Sequence, residues 1–266
     1  MELSMSALEN AEHDEGLAID VISSTAIIAT KDPLDPLNWS FVKKWACILI
    51  ACLSYFTQLY FTTVIIPCFG LLQAQLHATY NQVNWIFGVS ALGMAAGPLL
   101  TASIADTYGR RIVLIFSTMI ALVSCGCTSL HNISFSGYMA ARFFLGLGAG
   151  PSANISLSII NDVSFEHERG FRVGLWAVSA NVGSFAGAVV GGFIALVSQY
   201  WATYHLTIFF AFTLTCQCLF LPETNYPRAA VLEHEYRARE RKDNSRDMEE
   251  ISLKRTRQLG YLVFSI

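Results

Sequence analysis

Six apolar runs cross this chain, and Lys and Arg occur only in every second segment between them. The runs are Trp45–Pro67, Ile86–Ala105, Ile112–Leu130, Tyr138–Ile160, Val173–Val197 and Ala202–Leu221. Each approaches the ~20 residues that carry a helix across ~30 Å of hydrocarbon. Helices are the expected form, because an open strand leaves backbone amides unpaired in lipid and the strands of outer-membrane barrels are about half as long. The expectation is an all-α membrane protein with a six-helix bundle at 45–221. A composition of 53% hydrophobic and 14% charged residues suits a chain whose main solvent is lipid.

The charge pattern gives a direction. Lys31, Lys43 and Lys44 precede the first run, Arg110 and Arg111 join the second to the third, and Arg169 and Arg172 join the fourth to the fifth. Further basic residues from Arg228 to Arg257 follow the sixth. The alternate segments, Cys68–Trp85, His131–Gly137 and Ser198–Trp201, hold no Lys or Arg. Basic loops stay in the cytoplasm, so both ends of the six-helix unit are expected there. Asn132-Ile-Ser134 is then the one glycosylation sequon in an outward loop. The plasma membrane and the vacuolar membrane both fit.

Residues 1–44 read as a cytoplasmic tail, largely disordered. It opens on acidic residues such as Glu2, Glu9 and Glu12, where a signal peptide needs a basic start. Residues 222–258 read as a charged cytoplasmic loop. Over Ala230–Lys242 its spacing allows an amphipathic helix with Glu233 one turn before Arg237. Leu259–Ile266 begins a seventh apolar run, which reads as the start of a truncated seventh helix. On this reading the chain is the first half of a larger protein or a shortened gene product. The seven cysteines lie in or beside the runs and read as small packing residues. No metal spacing, cofactor loop or nucleophile–base pair marks an enzyme, and no cofactor is expected. The basic residues are intermixed with acidic ones, which argues against nucleic-acid binding.

Within the runs a few residues stand out. Asp106-Thr-Tyr-Gly109-Arg110-Arg111 lies between the second and third. Gly109 permits a tight reversal, and the charged residues can pair with each other or with a neighbouring helix end. Arg142 is the only Lys or Arg inside the six runs. An arginine in a span is costly and generally faces protein or a wet cavity. Gly146 and Gly150, four apart, open one helix face to close approach. The fifth run carries Gly174, Gly183, Gly187, Gly191 and Gly192, and the row 183/187/191 forms a groove. These glycines are expected to form a helix-packing seam. Tyr55, Gln58, Thr62, Trp176 and Asn181 bring polar or aromatic groups into spans and could line a cavity for amphipathic cargo. No Asp or Glu lies inside any run; Asp106 and Asp162 sit at run ends.

Taken together, the Asp106–Arg111 loop, Arg142 with its following glycines and the glycine row resemble three signature motifs of the major facilitator superfamily. Asp32-Pro-Leu-Asp-Pro-Leu-Asn-Trp39, Glu168-Arg-Gly170 and Leu221-Pro-Glu-Thr224 are similar to its fungal drug and polyamine proton antiporters. Ala102, Thr107 and Ala188 depart from the usual glycine, basic residue and proline. The resemblance implies an N-terminal bundle of two inverted three-helix repeats that rocks against a second bundle. It also implies that Asp106, Gly109, Arg110 and Arg111 form a cytoplasmic latch and that Arg142 serves coupling or substrate binding. The partners it implies are the lipid bilayer, a small organic substrate and, in a full-length protein, protons. The function to expect is half of a secondary transporter that exports drugs, toxins, polyamines or secondary metabolites. The alternatives are an inactive relic and a non-transporting scaffold or receptor-like protein. A single bundle by itself is expected not to pump.

Overall fold

The computed structural model describes residues 35–76, 78–130 and 133–226, together with residues 231, 233, 234, 237, 238, 241 and 242. The chain divides into two compact units, one holding Pro36–Asn225 and the other Tyr226–Ile266 with a short piece before Pro36. In the second unit Glu233 and Arg237 lie one helical turn apart and pair at 2.5 Å, as their spacing suggests. Asn132 and the seventh run fall outside the described residues.

The first unit is all helix. A 3-10 turn at Pro36–Asn38 leads into α1 (Phe41–Val64). A short α2 (Phe69–Leu76) precedes α3 (Tyr80–Tyr108), then α4 (Arg110–Thr128), α5 (Phe135–Ala149), α6 (Pro151–Val163), α7 (Glu166–Ala195) and α8 (Gln199–Phe220). Six helices among the described residues are long and apolar enough to cross a membrane, α5 and α6 counting as one. Each covers most or all of one of the six runs. The largest difference at a boundary is in α7, which begins at Glu166 rather than near Val173. Glu166 and Glu168 in its first turn suit the positive end of the helix dipole, and these polar turns are invisible to a search for apolar runs.

Two further boundaries differ. Lys43 and Lys44, read as tail, are already helical, and Lys44 lies buried with its ammonium 4.4 Å from the Phe165 ring centre. The fourth run is divided at Gly150–Pro151, because Pro151 has no N–H to continue the ladder. Of the cysteines, Cys47, Cys52, Cys68 and Cys125 are buried, while Cys127 and Cys218 are exposed on the outside of the bundle.

Packing depends on glycine at three seams. A Cβ at Gly183 would stand 2.6 Å from the Phe56 carbonyl oxygen, and one at Gly187 2.6 Å from that of Tyr60. Gly191 presses in the same way on the Val64 carbonyl, so the whole row lies against α1. Gly146 of α5 and Gly150, just past its end, meet the backbone of α3 at Ser90 and Met94. Gly93 and Gly97 of α3 answer by meeting α5 at Phe143 and Leu147. On another face of α5, Gly148 meets α4 at Ser117 and Ala121. Gly174 and Gly192 do not belong to the seam: a Cβ at either has nothing within 4 Å, because neither falls on the four-residue row that faces α1.

A polar ladder joins α1 to α8. Gln217 Nε2 donates to Ser54 Oγ at 2.9 Å, the Thr57 and Thr213 hydroxyls lie 3.0 Å apart, and the Tyr60 hydroxyl is 3.0 Å from His205 Nε2. The α1 members are three residues apart, so they share a face.

Replacing Gly187 with Leu should lower the melting temperature of the detergent-extracted protein, since overpacking typically costs ~1–3 kcal/mol. Gly192→Leu, which enters open space, should leave it unchanged. Equal melting of both variants would show that the α1–α7 contact is not close.

Candidate functional site

The end of the bundle where α3 turns into α4 carries a network of charge. Gly109 is the whole connection, with φ 106° and ψ 145°, a region that side chains exclude. The turn exposes the first N–H groups of α4, which have no partner inside their own helix. The Glu223 carboxylate takes two of them: Arg110 N–H donates to Oε1 at 3.0 Å and Arg111 N–H to Oε2 at 3.3 Å. Glu223 Oε1 also accepts from the N–H groups of Thr224 (3.1 Å) and Asn225 (3.0 Å), which fixes the carboxylate from behind. A Cβ on residue 109 would lie 2.5 Å from Glu223 Oε2. Glycine is required here twice, for its dihedral angles and for the approach of the carboxylate.

The two arginine side chains reach in different directions. Arg111 donates to the Cys218 carbonyl at 3.0 Å, a cation at the negative end of α8. Arg110 donates to the Ser158 carbonyl at 2.8 Å and forms an ion pair with Asp162 on α6. Asn225 Nδ2 donates to the Asp106 carbonyl oxygen at 2.9 Å. Thus α3, α4, α6 and the segment after α8 are tied at one end. Of the two pairings open to this turn, the arginines take the one with neighbouring helix ends, and a pairing of Asp106 with them is not seen among the described residues. The exposed Asp106 carboxylate makes no hydrogen bond or ion pair among the described residues. Glu223 and Asp162 supply the anions instead. Sequence reasoning left both out of the latch. The signal for Glu223 was its place just past an apolar run behind Pro222.

A second tie lies beside the first. Arg172 is buried and bonds the Val163 carbonyl at 3.0 Å, Ser164 Oγ at 3.2 Å and Glu168 at 2.6 Å. Arg169 Nε donates to Asn161 Oδ1 at 2.7 Å. These bonds clamp the reversal between α6 and α7.

Deeper, and toward the opposite end, a cavity of about 380 Å³ opens between α1, α3 and α5. Its walls include Phe61, Thr62, Ile86, Phe87, Ser90 and Arg142. Arg142 is only 4% exposed and holds the Tyr138 hydroxyl, one turn back on α5, with Nε (3.2 Å) and Nη2 (2.7 Å).

The proposed cavity residues are not gathered in one place. Thr62 lines the Arg142 cavity. Tyr55 and Trp176 stack at 4.3 Å with their planes 12° apart, joining α1 to α7. Gln58 is buried with Oε1 lacking a partner, and Trp176 Nε1 is likewise unpaired. Asn181 is exposed and returns its amide to the Ala177 carbonyl at 2.8 Å.

The sequence profile of the Major Facilitator Superfamily matches residues 51–263. The chain is 29% identical over 201 residues to the MFS-type transporter hepF of Aspergillus oryzae, covering 73% of this chain and 41% of that protein. It is 28% identical over 198 residues to an MFS-type efflux pump of Trichophyton rubrum, covering 74% of this chain and 33% of the pump. It therefore spans less than half the length of these relatives. Among solved structures, a D-xylose-proton symporter superposes with a TM-score of 0.61 at 19% identity, over 77% of this chain and 53% of the symporter.

Removing the Glu223 carboxylate should release the amides it caps. In Glu223→Ala, hydrogen exchange at the Arg110 and Arg111 amides should accelerate while the interior of α5 stays protected. Unchanged exchange at both amides would show that the cap is not made in the membrane protein.

Proposed function

The chain belongs to the major facilitator superfamily, and we propose that its six spans form one of two bundles in an exporter of small organic molecules. The observation that carries this reading is the asymmetry of the bundle. Charged ties close the end that holds Gly109, Glu223 and Arg110, and a cavity lies in the other half beside Arg142. A carrier that alternates access needs such a closable end and a recess beyond it. The ties rest on single carboxylates over helix ends, so they can part and reform without melting a helix.

On this proposal the closed end is cytoplasmic and Asp106, Gly109, Arg110 and Arg111 belong to the latch. Export is favoured by the name of the Trichophyton relative, an efflux pump. The cargo classes in view are drugs, toxins, polyamines and secondary metabolites. Stacked Tyr55 and Trp176 and the apolar cavity walls suit amphipathic or aromatic molecules among them. Proton coupling is part of the proposal. No Asp or Glu lies within the six apolar runs, so the coupling carboxylate would sit outside them. The plasma membrane and the vacuolar membrane remain equal candidates for residence.

Two measurements test this. Tags placed before Phe41 and after Asn225 should both be shielded from reagents applied to intact cells; labelling of either from outside reverses the orientation. For transport, residues 36–225 can be joined to the second half of the Trichophyton pump and expressed in a fungal host lacking its own efflux pumps. The joined protein should lower retention of an amphipathic dye. Gly109→Leu, at equal membrane level, should restore retention, and the six-helix bundle by itself should have no effect. Equal retention with joined protein, variant and empty membrane would overturn the export reading.

A further inference from the structure

Among the described residues, Arg142 is a buried cation without an anion. It is 4% exposed, and among the described residues its polar contacts are both to the Tyr138 hydroxyl on its own helix, through Nε and Nη2. Nη1 has no hydrogen-bond partner there, and the guanidinium forms no ion pair. The hydroxyl is a neutral acceptor and leaves the charge uncompensated. Nor does the surrounding sequence offer a remedy, since no Asp or Glu lies inside any of the six runs. Burying a charge without its counter-charge costs several kcal/mol, and the absence of water in the membrane interior removes the usual relief.

A second polar group faces the same recess. Ser90 on α3 is 9% exposed, and its Oγ is buried without any hydrogen-bond partner. It lines the cavity together with Arg142. The remaining walls are largely apolar and partly aromatic, with Phe61 and Ile65 from α1 and Ile86 and Phe87 from α3. The cavity, about 380 Å³, lies at the small end of ligand sites. One unpaired cation, one unpaired hydroxyl and an apolar wall define a ligand with one anionic end and a compact apolar body.

We propose that this cavity binds the carboxylate of a small amphipathic organic anion, with Arg142 as counter-charge and Ser90 as hydrogen-bond donor. A planar carboxylate suits the guanidinium fork, which can offer Nη1 while Nε and Nη2 stay on Tyr138. The Ser90 hydroxyl donates to the same carboxylate. Phe61 and Phe87 cover the apolar body. The site selects against cations, polyamines among them, because a second positive charge would enter beside Arg142 with nothing to offset either; of the cargo classes in view it takes the anionic members. The inference rests on the exporter reading only in making the ligand a cargo; binding itself requires no transport. A fatty acid from the bilayer carries the same head group and is a second source of it.

The test is equilibrium dialysis of the whole chain in phosphatidylcholine nanodiscs, with labelled 1-naphthoate as probe. Naphthoate should bind at one site, and 1-naphthamide and 1-naphthylmethylammonium should fail to displace it. Arg142→Gln should weaken binding by at least ~10-fold and Ser90→Ala by ~2–10-fold, the ranges for charged and neutral hydrogen bonds, whereas Arg142→Lys should retain part of it. Free of ligand, Arg142→Gln should melt at or above the temperature of the parent, because it removes an uncompensated charge; a variant that merely misfolds would melt lower. Displacement of naphthoate by laurate would assign the site to membrane fatty acids, and failure of laurate to displace it would assign the site to a soluble anion; either supports a carboxylate site. Equal affinity for acid and amide would overturn the proposal, as would unchanged naphthoate binding in Arg142→Gln or a lower melting temperature of that ligand-free variant. None of these results depends on efflux, so the site and the exporter reading can fail separately.

Discussion

Close backbone contact between helices is the constraint on which the rest of this bundle depends. Lipid tails are as apolar as leucine, so side-chain hydrophobicity gives helices no reason to leave lipid for each other. What remains is dispersion, and dispersion needs contact. Here it comes from glycine. The row Gly183, Gly187 and Gly191 lets α7 lie on the carbonyls of α1, and four glycines shared by α3 and α5 interlock both ways. With Gly148 set against α4, α5 becomes the hub of the unit. The consequence for function is positional. Arg142 is carried on that hub, one turn before Gly146, so the same seam that brings α3 against α5 brings Ser90 to the cavity that Arg142 lines.

The helix ends solve a different problem. Five reversals between six spans leave unpaired N–H and carbonyl groups near the membrane surface, and at the basic end these are matched with full charges. Glu223 covers the start of α4, and Arg111 covers the end of α8. Each bond relieves a group that its own helix cannot satisfy. The same bonds join elements distant in the chain, so capping and closure are one interaction. That is why Gly109 has no substitute: its dihedral angles make the reversal, and its missing side chain admits the carboxylate.

Much of this was legible beforehand. Apolar runs long enough to span announce themselves by length, and the structure places a helix on each. The row of Gly183, Gly187 and Gly191 was visible because a four-residue period maps onto one helix face. Gly174 and Gly192 were grouped with it by proximity alone, and both lie off that face. Gly93 and Gly97 have the same spacing but drew no notice, since glycine pairs are common in membrane helices. Gly109, Arg110 and Arg111 stand out in the sequence as a charged turn, but the acids that meet them do not. Asp106 is near in sequence; Asp162 and Glu223 are near in space. Pairings across more than 50 or 110 residues have no periodicity to betray them. The ladder between α1 and α8 was hidden for the same reason, its members being ordinary Ser, Thr and Gln in both runs.

Polar groups in the interior are treated unequally, and the inequality has a direction. Along α1, Ser54, Thr57 and Tyr60 find partners on α8, while Gln217 Oε1 on α8 has none. Gln58 lies between two of these residues yet turns elsewhere, and its Oε1 has no partner. Ser90 Oγ on α3 and Trp176 Nε1 on α7 are buried atoms without a partner as well. Buried polar atoms are nearly always bonded in proteins, so unpaired ones mark places where something else is to be met. A helix that served only to pack would carry apolar residues at such positions, at less cost and with no loss of contact. The α1–α8 contact is joined by three side-chain hydrogen bonds. The unpaired groups of α1, α3 and α7 keep their bonding capacity in reserve, and the Arg142 cavity is where that reserve includes a full charge.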